Sequence, residues 1–246
     1  MCTVLLRFAP GAAWPLLLAA VRDEFVDRSW DPPGRYWEDR LLGGRDRSAG
    51  GTWLAVDPSG PGVAAVLNGV RLPRPAGDDR PTRGTLPLDA LRRRVPEGDG
   101  YDGFHLVRGT PREVRVWSWD GRRLWERSLP PGDHIIVNRG VGYDDEPTVA
   151  HFLPLLRAMG EVGGAADSGE LAGLSTVDFW GDWVRLLGGD GLDPADPRAL
   201  LVGRAFAGRD YGSTSASLVA LGDGRARYDF CAAPLGAARW SRIWPE

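Results

Sequence analysis

The chain has 246 residues, of which 43% are hydrophobic and 26% are charged, and its formal net charge is −3. These values predict one globular domain over residues 1–246, with a core large enough to fold without metal or disulfide support. The mild acidity argues against a nucleic-acid partner, and the longest apolar run, Ala12–Val21, is too short for a membrane span, which needs about 20 residues.

The first part of the chain is predicted to form antiparallel strands. Cys2–Phe8 is β-branched and apolar, and Trp14–Val21 fits either its partner in a hairpin or a short helix. The segment 27–46 is rich in proline and glycine and predicts a loop. Thr52–Asp57 and Gly62–Asn68 predict two further strands.

The middle of the chain combines one helix with a run of strands. Arg71–Gly84 predicts an exposed loop, and Leu86–Arg94 predicts a helix. The arginine run Arg92–Arg94 is expected to be a solvated helix end, where cations favour the helix dipole. Four consecutive strands are then predicted, over Phe104–Val107, Glu113–Trp119, Arg123–Leu129 and His134–Val137.

The last part predicts two helices and a hairpin. Pro147–Met159 and Leu174–Leu187 have helical spacing, and Leu200–Phe206 fits a strand or an extended segment. Ser215–Leu221 and Ala226–Cys231 predict a hairpin around an Asp-Gly turn. Strands at both ends with helices between them predict an α+β fold with helices on the outer faces of mainly antiparallel sheets.

The two cysteines, Cys2 and Cys231, and the three histidines have no metal-ligand spacing, so no metal site is expected. The chain has no secretory pattern and is expected to be cytoplasmic. Cys231 is expected to be a small buried apolar side chain. All 30 basic residues are arginine, which is typical of a high-GC bacterial genome.

Cys2 is the candidate nucleophile because of its position. Removal of Met1 would leave a thiol and a free α-amine on one residue, and an α-amine with a pKa near 8 is able to act as the base for its own thiol. The alternative is that Cys2 is an ordinary residue of the first strand. The intact chain mass and the reactivity of Cys2 distinguish these two interpretations.

Three charged residues, Arg22, Asp23 and Glu24, follow the second apolar segment. A hairpin would bring them back beside Cys2, where the cation of Arg22 favours a thiolate. Strand alternation would put only one of the two carboxylates on the Cys2 side. The alternative is a solvated turn after the strand.

Several segments, in order and at suitable spacing, resemble the NRDE family, also called the transport and Golgi organisation protein 2 family. The segments are Met1–Thr3, Val21–Glu24, Gly43–Val56, Ala64–Arg71, Thr82–Leu91, Tyr101–Val107, Pro131–Gly140 and Asp210–Ser217. Two positions depart from the family pattern. Val21 stands where the family has asparagine, and Thr214 stands where it has arginine.

The family is similar to cysteine-type N-terminal nucleophile (Ntn) hydrolases, and the resemblance implies a four-layer αββα sandwich. It also implies a site with Cys2 as the nucleophile at the end of a central strand and Arg22 and Asp23 beside it. Asn68 would supply an oxyanion-stabilising amide, and Asn138 would be a second asparagine near the nucleophile. The substrate-binding residues expected from the same motifs are Glu24, Arg45, Trp53, Tyr211 and Thr214.

Three functions are consistent with these features. The first is hydrolysis of an amide or related acyl bond, or acyl transfer, with no cofactor. The second is binding and trafficking of haem or an acyl lipid without catalysis, with Cys2 or a histidine as axial haem ligand and some of the 11 tryptophans lining an apolar cavity. The third is an enzyme of specialised metabolism that has diverged to act on one particular natural product. The departures from the family pattern at Val21 and Thr214 would indicate this divergence.

Overall fold

The computed structural model describes residues 2–73, 80–163, 173–236 and 238–245. Met1 and the middle of the predicted loop Arg71–Gly84 lie outside these residues. Every strand pairing described is antiparallel. The chain therefore has a mixed fold in which antiparallel sheets predominate over helices.

The described strands form two sheets. In chain order they are β1 (Thr3–Phe8), β2 (Leu16–Phe25), β3 (Trp30–Gly34), β4 (Leu42–Asp46), β5 (Leu54–Asp57), β6 (Gly62–Asn68), β7 (Phe104–Gly109), β8 (Val114–Trp119), β9 (Leu124–Ser128), β10 (Gly132–Val137), β11 (Gly140–Val141), β12 (Gly203–Phe206), β13 (Arg209–Gly222), β14 (Arg225–Ala232) and β15 (Arg239–Trp244). The first sheet has the order β11-β10-β1-β2-β13-β14-β15, with β12 paired to β13. The second sheet runs consecutively from β3 to β9.

Four α-helices accompany the sheets in the described residues. They are α1 (Leu86–Leu91), α2 (Pro147–Arg157), α3 (Thr176–Trp180) and α4 (Asp182–Leu186). Side chains of α2, α3 and α4 pack on one face of the first sheet, in a cluster with Leu5, Ala19 and Leu218. Helix α1 packs on the second sheet through Leu86 and Ala90.

The core between the sheets follows strand alternation. Val4, Leu6 and Phe8 of β1 share one buried cluster with Leu54 and Val63 of the second sheet, while Leu5 faces the helices. The central strands β1 and β2 are thus apolar on both faces, which is why their sequences read as nearly continuous apolar runs.

The three charged residues Arg22, Asp23 and Glu24 lie within the second strand and do not form a turn after it, so the solvated-turn alternative is wrong. Strand β2 continues through Arg22 and Asp23 to Phe25 and pairs with β13 along its length. Arg22 is 5% exposed and Asp23 is 4% exposed. Arg22 and Asp23 are paired with Ser215 and Ser213 of β13. Their charged side chains therefore lie within the sheet and not on an exposed turn.

The predicted loop over residues 27–46 is also wrong, because the segment contains β3 and β4. Strand β3 carries Pro32 and Pro33 and pairs only with β4, at the edge of the second sheet. Proline is tolerated at a sheet edge, where its missing N–H is not needed by a second neighbour. The register shift between Asp31 and Gly34 lies at these prolines.

Two predicted helices differ from the structure in their bounds, and two strands were not predicted. Helix α1 ends at Leu91, three residues before the predicted end at Arg94. The predicted helix over Leu174–Leu187 is divided at Gly181, whose φ of 49° ends α3 before α4 begins. Strands β11 and β15 were not predicted, because β11 has two residues and β15 has two arginines and a serine among its three apolar residues, with no regular alternation.

Candidate functional site

Cys2 lies immediately before β1, where a cavity of about 610 Å³ opens between the two sheets. Its side chain is half-buried and packs against the cluster between the sheets. Six of the predicted site residues line this cavity, namely Cys2, Arg22, Asp23, Glu24, Trp53 and Asn68. The structure therefore brings together residues from β2, β6 and the segment before β5.

Register explains why distant residues meet at Cys2. Thr3 pairs with Val21 in the β1–β2 ladder, and Val4 pairs with Ile136 in the β1–β10 ladder. Continuing these antiparallel registers puts Arg22 on one side of Cys2 and Asn138 on the other.

The side-chain amide of Asn138 connects two other predicted residues. Its Oδ1 accepts a hydrogen bond from the main-chain N–H of Cys2 at 2.8 Å. Its Nδ2 donates to the main-chain oxygen of Asn68 at 2.6 Å. Asn138 thus fixes the start of β1 against the end of β6, and it holds an acceptor beside the nitrogen atom of Cys2.

The guanidinium of Arg22 is held from three directions. Nη1 donates to Thr214 Oγ1 at 2.9 Å, Nη2 lies 3.5 Å from Asp46 Oδ2, and the group stacks 4.5 Å from the centre of the Trp53 ring. Thr214 is the extra residue of a β-bulge, because Ser213 and Ser215 pair with consecutive residues of β2. The bulge directs Thr214 towards Arg22, and burial lowers the pKa of the Arg22 guanidinium.

Asp23 lies on the opposite face of β2 from Arg22 and is tied to β13. Its Oδ1 accepts from Ser213 Oγ at 2.6 Å, and Ser213 Oγ in turn accepts from the main-chain N–H of Val202 at 2.9 Å. Burial raises the pKa of Asp23 to about 6. The main-chain oxygen of Asp23 accepts from Tyr211 Oη at 3.0 Å and lies 3.9 Å from Cys2 Sγ.

Burial also raises the pKa of the Cys2 thiol. Arg22 acts in the predicted direction and favours the thiolate, but its effect is smaller than that of burial. The thiol therefore needs a base to become a nucleophile, because the cation alone does not keep it ionised.

Glu24 lies on the same face of β2 as Arg22, which is the face towards Cys2. Of the two carboxylates that follow Arg22, Glu24 is therefore the one that strand alternation puts on the Cys2 side. Glu24 Oε2 lies 3.9 Å from Arg22 Nη2 and 3.7 Å from Arg28 Nε. Arg28 Nε also donates to Asp46 Oδ2 at 2.6 Å. Arg28 and Asp46 line the cavity as well, and neither was predicted from the sequence.

The structure places Arg45 outside the cavity lining. Its Nε donates to Asp31 Oδ2 at 2.8 Å, and its guanidinium stacks 4.6 Å from the centre of the Tyr36 ring. Its neighbour Asp46 points towards Arg22 and the cavity instead. Adjacent residues of a strand face opposite sides, which is why Asp46 lines the cavity and Arg45 does not.

His105 is a further residue at the site that sequence reasoning did not select. Its Nε2 lies 3.1 Å from the main-chain oxygen of Asn138, and its Nδ1 lies 2.8 Å from Ser118 Oγ. A carbonyl only accepts, so Nε2 carries the proton and Nδ1 accepts from the serine. Burial lowers the pKa of His105, so a neutral ring holds the Asn138 loop on the second sheet.

Residues 1–150 match the family model described as Transport and Golgi organisation 2. The chain belongs to the Transport and Golgi organisation 2 family. Comparison with curated protein sequences finds no match. The part that matches the Transport and Golgi organisation 2 family contains Cys2, Arg22, Asp23, Asn68 and Asn138, whereas Tyr211 and Thr214 lie beyond it.

Two further features of this Transport and Golgi organisation 2 family member concern metal ligands and membranes. Within the described ranges, no three His, Cys, Asp or Glu side chains cluster in a way that would hold a metal ion. Among the same residues, none of the helices has the length and apolarity needed to cross a bilayer.

Proposed function

We propose that this protein is an Ntn-type cysteine hydrolase that acts on an amide or related acyl bond, with Cys2 as the N-terminal nucleophile after removal of Met1. The observation that carries the proposal is the 2.8 Å contact from the Cys2 nitrogen to Asn138 Oδ1, at the edge of a cavity that Cys2 lines. Once Met1 is removed, that nitrogen is the α-amine, and an acceptor for one of its hydrogens is already in place.

The first chemical step needs a base, because burial keeps the thiol protonated. The α-amine of Cys2 takes the thiol proton while Sγ attacks the acyl carbon, and the carbonyl oxygen becomes an oxyanion. The ammonium then returns the proton to the leaving amine as the C–N bond breaks. Water attacks the resulting thioester, giving the acid and restoring the thiol.

The oxyanion needs donors on the cavity side of Cys2. The main-chain oxygen of Asn68 is occupied by Asn138 Nδ2, which fixes the end of β6 and leaves the Asn68 side-chain amide on the cavity wall. A donor of this kind aimed at an oxyanion contributes about 3–4 kcal/mol in other enzymes. Arg22 adds a fixed positive charge, because Thr214, Asp46 and Trp53 hold it in one position.

The proposal extends to the architecture. Core clusters lie between the sheets and against the helices on either side, which supports a four-layer αββα arrangement of the Ntn type. Strand β13, from the last third of the chain, pairs with β2 over ten residues. That pairing supports a single domain over residues 1–246.

Haem binding is the alternative, and the residues around Cys2 do not fit it well. The cavity wall is mostly polar, with Arg22, Arg28, Asp46 and Asp102 among its charged residues. The three histidines have no place in the described lining. His105 uses both ring nitrogens in hydrogen bonds, and His134 and His151 bind Pro130 and Asp190.

The proposed nucleophile is tested by intact mass and thiol alkylation. We expect purified protein to lack Met1 and Cys2 to react with iodoacetamide much faster than Cys231, which is fully buried. The Cys231→Ser variant, with Cys2 as its only thiol, should keep the fast reaction, and Cys2→Ser should lose it. Retained Met1, or a Cys2 no faster than a free thiol, would overturn the proposal. A Soret band on haem addition that Cys2→Ser abolishes would favour the alternative.

A further inference from the structure

A second cavity, of about 710 Å³, lies at the end of the sheets remote from Cys2. It is bordered by Gly60 and Pro61 before β6 and by the β13–β14 turn at Gly222–Gly224. Strand β6 runs from this cavity to Asn68 beside Cys2, a span of about 20 Å at the rise of an extended chain. The two cavities are therefore separate sites.

The walls of this cavity are rich in arginine. Its five basic residues are Arg93, Arg94, Arg108, Arg112 and Arg115. Opposite charge comes from Glu113 and Asp223 among the described lining residues. Glu113 is already shared, because Arg108 Nη1 and Arg115 Nε both donate to its carboxylate, at 3.1 and 2.9 Å.

Two of the five arginines, Arg93 and Arg112, form no ion pair with a described residue. Arg94 is paired with Asp89 at 3.1 Å, and Arg115 is also paired with Glu126 at 2.9 Å. In the portion of the chain that the structure describes, neither Arg93 nor Arg112 has a carboxylate within 4.0 Å. The cavity thus presents two unpaired guanidinium groups beside three paired ones.

The main chain of Arg93 has a left-handed conformation that arginine rarely adopts. The N–H of Arg94 donates to the oxygen of Asp89 at 2.9 Å, and the N–H of Arg93 donates to the oxygen of Ala90 at 3.1 Å. This is a Schellman turn at the end of α1, with Arg93 at the left-handed position and a φ of 62°. Glycine is strongly preferred there, and a side chain costs about 1 kcal/mol. Strained backbone positions of this kind cluster at functional sites.

The remaining walls also suit an anionic ligand. Thr110 Oγ1 accepts from the main-chain N–H groups of Arg112 and Glu113, at 3.2 and 3.1 Å, which fixes the turn that carries Arg112. The Nε of Arg108 is buried and has no acceptor among the described residues. That guanidinium keeps donor capacity beyond its bond to Glu113.

We propose that this cavity binds a small molecule that carries a di- or triphosphate group. Guanidinium groups bind phosphate oxygens in two-pronged, charge-assisted hydrogen bonds, and Arg93 and Arg112 are unpaired and ready to form them. The volume lies within the range of small-molecule sites. The inference is independent of the chemistry at Cys2.

Inorganic tripolyphosphate is the probe, and calorimetric titration of the full-length protein is the measurement. The test variants are Arg93→Gly and Arg112→Gln, and the control is Arg122→Gln, an exposed arginine in the β8–β9 turn outside the cavity lining. We expect each test variant to weaken binding about tenfold, the effect of one charge-assisted hydrogen bond. The control should bind like the wild type. Arg93→Gly should not lower Tm, because glycine relieves the left-handed strain.

Three results would overturn the proposal. They are no binding by the wild type, equal affinity in all four proteins, or loss of binding when Cys2 alone is alkylated. Citrate, with similar charge but carboxylate chemistry, should bind more weakly, and equal binding would remove the phosphate assignment. If Arg93→Gly folds poorly, Arg112→Gln against Arg122→Gln decides the question.

Discussion

His105 and Asn138 are joined through a ring nitrogen and a main-chain oxygen 3.1 Å apart. His105 stands on β7 of the second sheet, and Asn138 follows β10 of the first. The side chain of Asn138 then reaches Cys2 and Asn68. One neutral imidazole therefore links the second sheet to the residue that positions the nitrogen of Cys2.

The first prediction concerns the variant His105→Phe. It keeps an aromatic ring but loses both hydrogen bonds, so it should be less stable than the wild type by about 1–3 kcal/mol at pH 8. Burial lowers the pKa of His105, so the wild-type advantage is full above the unfolded pKa of about 6.5 and is lost as the pH falls below it.

Urea unfolding at pH 8 and pH 5 measures this difference. His134→Phe is the control, since His134 makes a single exposed contact with Pro130. It should change stability little, because that contact is exposed. An equal pH dependence in the two variants would contradict the role given to His105.

The second prediction separates the two functions of the Asn138 amide. Asn138→Ala loses both contacts and should slow Cys2 alkylation about tenfold, the equivalent of one hydrogen bond. Asn138→Asp keeps an acceptor for the Cys2 nitrogen but makes it anionic, which favours the ammonium and should move the pH midpoint of alkylation upward. The measurement is the rate with iodoacetamide from pH 5 to pH 10. Identical midpoints in Asn138→Asp and the wild type would show that Asn138 does not act on the Cys2 nitrogen.

The sequence was sufficient to predict those strands and site residues for which the local pattern agrees with the strand pairing in the structure. The apolar runs predicted β1 and gave β2 as one of two interpretations of Trp14–Val21, of which the strand is correct. The family motifs brought out Cys2, Arg22 and Asn138, which the registers of β1 place side by side. The Asp-Gly turn also predicted the β13–β14 hairpin correctly, although β13 begins six residues earlier, at Arg209.

The remaining features depend on tertiary contacts that no local pattern encodes. Asp46 was missed in favour of Arg45 because alternation within β4 is set by pairing with β3 and β5. His105 was missed because its partners, Ser118 and Asn138, are 13 and 33 residues away. Residues 30–34 were predicted as a loop because an edge strand tolerates the prolines that normally exclude one.

The third prediction concerns Thr214, which the bulge in β13 directs towards Arg22. Thr214→Val keeps the shape of the side chain but removes the acceptor for Arg22 Nη1 at 2.9 Å. A buried guanidinium that loses an acceptor should cost about 1–3 kcal/mol of stability. Thr214→Ser keeps the hydroxyl and should cost much less. Urea unfolding of the two variants at pH 7 makes the comparison, and a loss in Thr214→Ser as large as that in Thr214→Val would mean that the hydroxyl contributes no more to stability than the methyl group.

The last prediction uses the buried carboxyl group of Asp23. Burial raises its pKa from 3.8 to about 6, so the folded protein binds more protons than the unfolded chain between these values. The contribution of Asp23 to stability therefore falls as the pH rises through this window, by about 3 kcal/mol in all. In the variant Asp23→Asn the side chain is neutral at every pH, and its oxygen is still able to accept the hydrogen bond from Ser213 Oγ.

Asp23→Asn should thus be more stable than the wild type at pH 8, and the gain should disappear by pH 4. Unfolding free energies at the two pH values test this, with Asp210→Asn, the same substitution at an exposed position of β13, as the control. A variant that is less stable than the wild type at pH 8 would mean that the attractions of the Asp23 carboxylate to positive groups and hydrogen-bond donors outweigh the cost of its burial. In that case the charge of Asp23 would serve folding as well as the site at Cys2.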